Sequence, residues 1–125
     1  MWKAVAALML GGSFGALSRW GLHYWIDSRL ASSSAFPWGI LVVNTAGCFL
    51  FGWLFGLFEN RAWFSDTLQL AVFTGFLGSF TTFSTFSWNT LELLRNGQSG
   101  LAFLNIGLSV LLGMIAVWAG FALSR

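Results

Sequence analysis

Thr74-Gly75-Phe76-Leu77-Gly78-Ser79-Phe80-Thr81-Thr82-Phe83-Ser84-Thr85-Phe86-Ser87 is an uncharged run in which two glycines lead into back-to-back triplets, Thr82-Phe83-Ser84 and Thr85-Phe86-Ser87. The six triplet residues bring four hydroxyl donors and two aromatic rings. Such a density of hydroxyls suits a lined path in which something polar is stripped of water, not a face turned to lipid. Gly75 and Gly78 sit near the middle of an apolar segment, just before the hydroxyls, and predict a helix that is not regular throughout. Irregular backbone at membrane depth is tolerated only where it is buried in protein or lines a cavity. A break frees carbonyls on one side, which with no charged side chain nearby suit a hard cation such as sodium. It frees amides at the start of the second half-helix, which suit an anion. The competing reading is a glycine kink whose freed groups are satisfied by neighbouring hydroxyls.

Outward from this run, the rest of the chain is equally apolar: 57% hydrophobic and 8% charged over 125 residues. A bilayer span needs ~20 mostly apolar residues. Residues 67–94 form one, 38–58 a second interrupted by Asn44 and Thr45, 100–123 a third with Asn105 and Ser109, and 4–25 a fourth carrying Arg19 and His23. Nothing is left for a soluble domain. The expected fold is an all-α membrane protein: one transmembrane domain over 1–125, with helices at about 4–26, 37–58, 66–95 and 99–123. Met1-Trp2-Lys3 followed by Ala4 to Leu10 has the look of a signal peptide, but the apolar pattern continues to Leu17 and reads as a span.

The links are legible. Asp27 to Pro37 is a polar linker centred on Ser32-Ser33-Ser34, and Pro37 suits the first turn of the second helix. Asp66 with Gln69 resembles a capping box opening the third. Asn96-Gly97 ends it, with Arg95 favourably placed at its C-terminus. Gly11-x-x-x-Gly15 and Gly52-x-x-x-Gly56 allow close helix approach. With four spans, Lys3, Arg61 and Arg125 fall on one face of the membrane and Arg19, Arg29 and Arg95 on the other. Orientation follows the Lys/Arg excess, and three against three gives none. The balance predicts insertion in both orientations and hence an antiparallel, two-fold homodimer; the alternative is one orientation fixed by subtler signals.

Phe83 and Phe86 are three apart, as are Ser84 and Ser87, and Thr82 and Thr85, so each pair leans to one side of a helix. Phenyl rings have positive edges. An anion meeting ring edges and hydroxyl protons is attracted without a fixed counter-charge that would trap it, which is what conduction requires. The plainer reading is an aromatic packing stripe. Asn44 either bonds two helices together or turns its NH2 to the path. Asn105 and Ser109, four apart, share one face of the fourth helix and extend a polar track. Arg19 snorkels to the interface or makes a positive vestibule; the two are compatible. No acidic residue sits deep in a span, whereas proton-coupled carriers rely on intramembrane carboxylates. Cys48 is a lone small residue of the second span. One histidine, one cysteine and four peripheral acids assemble neither a catalytic site nor a metal cluster, so the chain does not read as an enzyme. A net charge of +2 with scattered cations argues against nucleic acid.

Three motifs together resemble the small bacterial fluoride channels, the Fluc or CrcB family. They are Gly11-Gly12-Ser13-Phe14-Gly15-Ala16 with Arg19 and Trp20; Gly39-Ile40-Leu41-Val42-Val43-Asn44 with Gly47 and Gly52; and Thr74-Gly75-Phe76-Leu77-Gly78 leading into Thr81 to Ser87. The resemblance implies a dual-topology antiparallel homodimer in the inner (plasma) membrane, with two separate fluoride pores that export fluoride passively after it has entered as HF. It implies a structural sodium ion at the dimer centre, on the backbone carbonyls of Gly78 and Thr81. It makes Phe83 and Phe86 an aromatic box, Asn44 a pore-lining donor and Arg19 a vestibule residue. Ser84, Thr85 and Ser87, following Thr82, join a polar track with Asn105 and Ser109. The chain departs from the family pattern at Ser79, where a second glycine is usual, at Asn89, where an acid is common, and at Gly113, one position beyond the expected glycine. Two other classes stand beside it. A small dual-topology proton-coupled exporter of toxic molecules would need a glutamate in the first helix, which has none. A structural membrane subunit would use its polar residues only as helix glue.

Overall fold

The computed structural model describes residues 1–30 and 33–125, so Ser32 of the expected linker lies outside the described residues. Among these residues the secondary structure is entirely helical: α1 (Trp2–Leu30), α2 (Trp38–Phe58), α3 (Asp66–Gln69), a π segment (Leu70–Leu77), α4 (Gly78–Phe80), α5 (Phe83–Arg95) and α6 (Ser99–Leu123). Trp38–Phe58, Asp66–Arg95 and Ser99–Leu123 are long and apolar enough to cross a bilayer. α1 has the length, 29 residues, but Lys3, Arg19 and four glycines make it less apolar than the others. It stands as a further helix packed along the third span.

Glycines set the two closest helix contacts. Side chains at Gly11 and Gly15 would run into the carbonyls of Ala71 and Phe76, so α1 lies directly on the backbone of the π segment. Ala71 and Phe76 are five apart, the hydrogen-bonding repeat of a π helix, and they match glycines four apart, the repeat of an α-helix. α2 packs most extensively on α6. There Gly52 meets the Val117 carbonyl and Gly120 the Phe49 carbonyl, with no room for a methyl at either. Val43, Ile40, Leu41, Leu77, Phe80 and Leu93 are buried between these layers. Many other large apolar side chains, such as Trp20, Tyr24, Trp88 and Trp118, stand on the outer surface, as lipid-facing residues do.

The helix ends refine the sequence reading. α1 runs on to Leu30 rather than stopping near 26. Its Asp27, expected in the linker, stays helical and accepts the Gly39 amide at the start of α2 (3.1 Å), capping α2 from outside. Pro37 is the residue before α2 rather than its first, and its carbonyl accepts from Leu41. The cap of α3 is Ser65, whose Oγ accepts the Leu68 amide; the expected Asp66–Gln69 box is one residue out of register. α5 ends as expected at Asn96-Gly97, with Gly97 at φ 74°. The Gln98 amide bonds the Leu93 carbonyl and the Gly97 amide that of Leu94, a Schellman closure. Arg125 pairs with Glu59 at 3.3 Å, so the chain's end and the link after α2 share one end of the bundle, as the span count requires.

Candidate ion pathway

The third span is interrupted at its centre. Thr81 (φ −84°, ψ 154°) and Thr82 (φ −147°, ψ 115°) are extended, and helix resumes at Phe83. The break therefore follows the glycines rather than falling on them; Gly75 and Gly78 are helical.

Side chains make the break. In a continuous helix the Thr82 amide would bond the Gly78 carbonyl and the Thr85 amide that of Thr81. Here Asn44 Oδ1 accepts the Thr82 amide at 2.8 Å, and Thr82 Oγ1, capping α5, accepts the Thr85 amide at 3.2 Å. The Gly78 and Thr81 carbonyls thus lose their helical donors. Both residues line a groove of about 470 Å³ together with Ser109. Thr81 fits there because position 47 is glycine; a side chain would meet its methyl. Among the described residues no three His, Cys, Asp or Glu side chains are grouped to hold a metal. A cation in this groove would be held by backbone oxygens, a donor set that fits a hard monovalent ion.

On the far side of the break the α5 N-terminus offers amides and hydroxyls. Thr82 is buried and its hydroxyl donates to Thr85 Oγ1 at 3.1 Å. Having spent its one proton, it accepts from Ser84 Oγ at 3.2 Å. Ser87 donates to the Phe83 carbonyl at 2.9 Å, and Thr81 to the Leu77 carbonyl at 3.0 Å. Among the hydroxyls of Thr81 to Ser87, the one left without an acceptor is that of Thr85. Thr85 lines a cavity of about 430 Å³ with Arg19, Trp20 and His23. The fold thereby brings the deepest cation and the free hydroxyl into one space.

The remaining expected residues divide. Asn44 spends both ends of its amide on Thr82, donating from Nδ2 to the Thr82 carbonyl at 3.1 Å, so it builds the break and one Nδ2 hydrogen remains. Asn105 is 2% exposed and donates to Thr90 Oγ1 at 3.0 Å. Thr90 in turn donates to the Phe86 carbonyl at 2.8 Å. Asn105 therefore ties α6 to α5, while Ser109, one turn on, reaches the groove with Gly78. Phe83 and Phe86 lie 5.6 Å apart between ring centroids, inclined at 44°. Phe83 is 79% exposed and Phe86 half-buried, so one chain does not enclose the rings.

His23 and Asp27 were not read from the sequence as part of this region. His23 Nε2 meets Asp27 Oδ2 at 2.6 Å, and both line the cavity with Arg19. The four-residue spacing of Arg19, His23 and Asp27 was the available signal.

The family model described as CrcB-like protein, Camphor Resistance (CrcB), matches residues 6–121. A protein of Acidobacterium capsulatum named fluoride-specific ion channel FluC is 42% identical over 116 residues, covering 93% of this chain and 91% of the relative. Proteins of the same name from Nitrosococcus oceani and Pyrococcus horikoshii are 39% and 41% identical, covering 100% and 98% of this chain and 98% and 97% of theirs. With a match over nearly all of its length, the chain belongs to the CrcB family.

Proposed function

We propose that this protein is a fluoride-selective channel of the inner membrane that lets fluoride leave the cell passively. The observation that carries the reading is the diversion of the Thr82 and Thr85 amides. It leaves bare carbonyls on one side of the break, and free amide ends with an unspent Thr85 hydroxyl on the other. The names of the relatives agree with it.

Fluoride is small and tightly hydrated, so passage requires donors dense enough to replace its water. Arg19 raises the local anion concentration at the mouth. The Thr85 hydroxyl, the Phe83 and Ser84 amides at the positive end of α5 and the phenyl edges then stand in for the hydration shell. None carries a full charge, so the ion is released as readily as it is taken up. The exposure of Phe83 supports a second copy packed over it. With the balanced cations, an antiparallel dimer with two pores is the arrangement that covers both rings by symmetry. Sodium fits the same scheme: Gly78 and Thr81 from each copy would present four carbonyls about the two-fold axis and bind the copies together.

The test is efflux from liposomes containing only the purified protein. Rapid fluoride efflux with chloride retained is expected; equal efflux of the two would remove the selectivity.

A further inference from the structure

We propose that the His23–Asp27 pair is a proton-controlled charge gate on the mouth of the ion path. The proposal rests on the channel reading above.

His23 and Asp27 are the two residues shared by the cavity that holds Arg19 and Thr85 and by an outer cavity of about 290 Å³ that holds Asn89 and Glu92. An ion moving between the outer cavity and the free Thr85 hydroxyl passes this pair. Their side chains are 34% and 36% exposed in the single chain, and both line the two cavities. The other titratable or charged groups around the pair are Arg19 and Tyr24 on α1 and Glu92 on α5; α2 presents only Gly39 and Ile40. With Tyr24 and His23 neutral, Arg19 against Asp27 and Glu92 leaves these walls one net negative charge, which repels an anion. A proton on His23 cancels it. Histidine is the side chain suited to change charge between about pH 5 and 8.

The geometry lets the charge change without moving the walls. His23 Nε2 lies 2.6 Å from Asp27 Oδ2, a contact that an Nε2–H makes whether or not Nδ1 also carries a proton, so this bond persists in both states. Asp27 Oδ1 meanwhile keeps the Gly39 amide, and α2 stays capped in both states. The pair is thus a switch of potential rather than of shape, and conduction rises as the solution becomes more acidic. In a cell, that is the condition under which HF carries most fluoride inward.

Single-channel current in planar bilayers tests this, because HF crossing the lipid carries no current. At low ionic strength the fluoride conductance is expected to be about 2- to 5-fold higher near pH 5 than near pH 8, the effect of one nearby unit charge on a monovalent anion in water. The ratio should shrink toward one in concentrated salt, which screens charge but not structure. His23→Gln, which keeps a donor for Asp27, should conduct equally at both values. His23→Arg should show the acidic level at both. A wild-type conductance that is flat with pH, or a His23→Gln channel that keeps the wild-type profile, would overturn the gate while leaving the channel intact. Absence of fluoride current at any pH would overturn the channel reading and the gate with it.

Discussion

Asn44 on α2 grips both backbone groups of Thr82, accepting its amide at 2.8 Å and donating to its carbonyl at 3.1 Å. The two residues are 38 positions apart, and this one side chain replaces the hydrogen bond that would have carried the third helix through its centre. Asn44→Ala is therefore expected to leave two backbone groups without partners, each costing about 1–3 kcal/mol. Without that grip the Thr81–Thr82 break loses the contact that holds it open. Lower thermal stability in detergent together with lost fluoride efflux is the expected pair of results. A variant that conducts as the wild type does would show that the break does not depend on Asn44.

The hydroxyls are not equivalent. Thr85→Val removes the proton left free in the Arg19 cavity and should abolish most of the flux, with Thr85→Ser restoring it. Ser87→Ala removes a proton already given to the Phe83 carbonyl and should leave the flux near wild type. Efflux rates for the three variants, measured side by side, check the assignment; equal losses in Thr85→Val and Ser87→Ala would refute it.

Phe83 is mostly exposed in the single chain, so Phe83→Ile should change the stability of the chain by no more than about 0.5 kcal/mol. If its ring edge meets the ion, the same change removes most of the conduction, and Phe86→Ile does likewise. Efflux read beside size-exclusion elution separates a lost path from a lost assembly. Normal flux in both variants would leave the rings without a part in conduction.

Two glycines of α1 make a matched pair. Gly15→Ala drives a methyl into the Phe76 carbonyl and should cost about 1–3 kcal/mol as overpacking. Gly21→Ala meets nothing within 4 Å and should be neutral or gain up to about 1 kcal/mol in helix propensity. Denaturant unfolding in detergent distinguishes them, and equal stabilities would contradict the close contact of α1 with the π segment.

These residues also show what sequence carries and what it does not. Span positions follow from hydropathy and local end signals, so α6 lies at the expected 99–123 and α2 begins one residue late. The existence of the break was legible from the clustered glycines and hydroxyls, but its place was not. Gly75 serves a contact with α1 and both glycines remain helical, while Thr81 and Thr82 are pulled extended by a side chain on another helix. The same holds for Asn105: its spacing from Ser109 put both on one face, but its bond to Thr90 on α5 depends on tertiary packing that no local pattern encodes. α1 outran its expected end because Asp27 acts across space on α2.

The central claim is that halide selectivity arises at the Thr81–Thr82 interruption, where uncharged donors replace the water of a small anion. The reversal potential of the purified protein in a planar bilayer, with fluoride on one side and chloride on the other, tests it most directly. A potential close to that of a membrane permeable to fluoride alone is predicted, and it should collapse in Thr85→Val. A reversal potential near zero, with both halides carrying current through the wild-type protein, would contradict it.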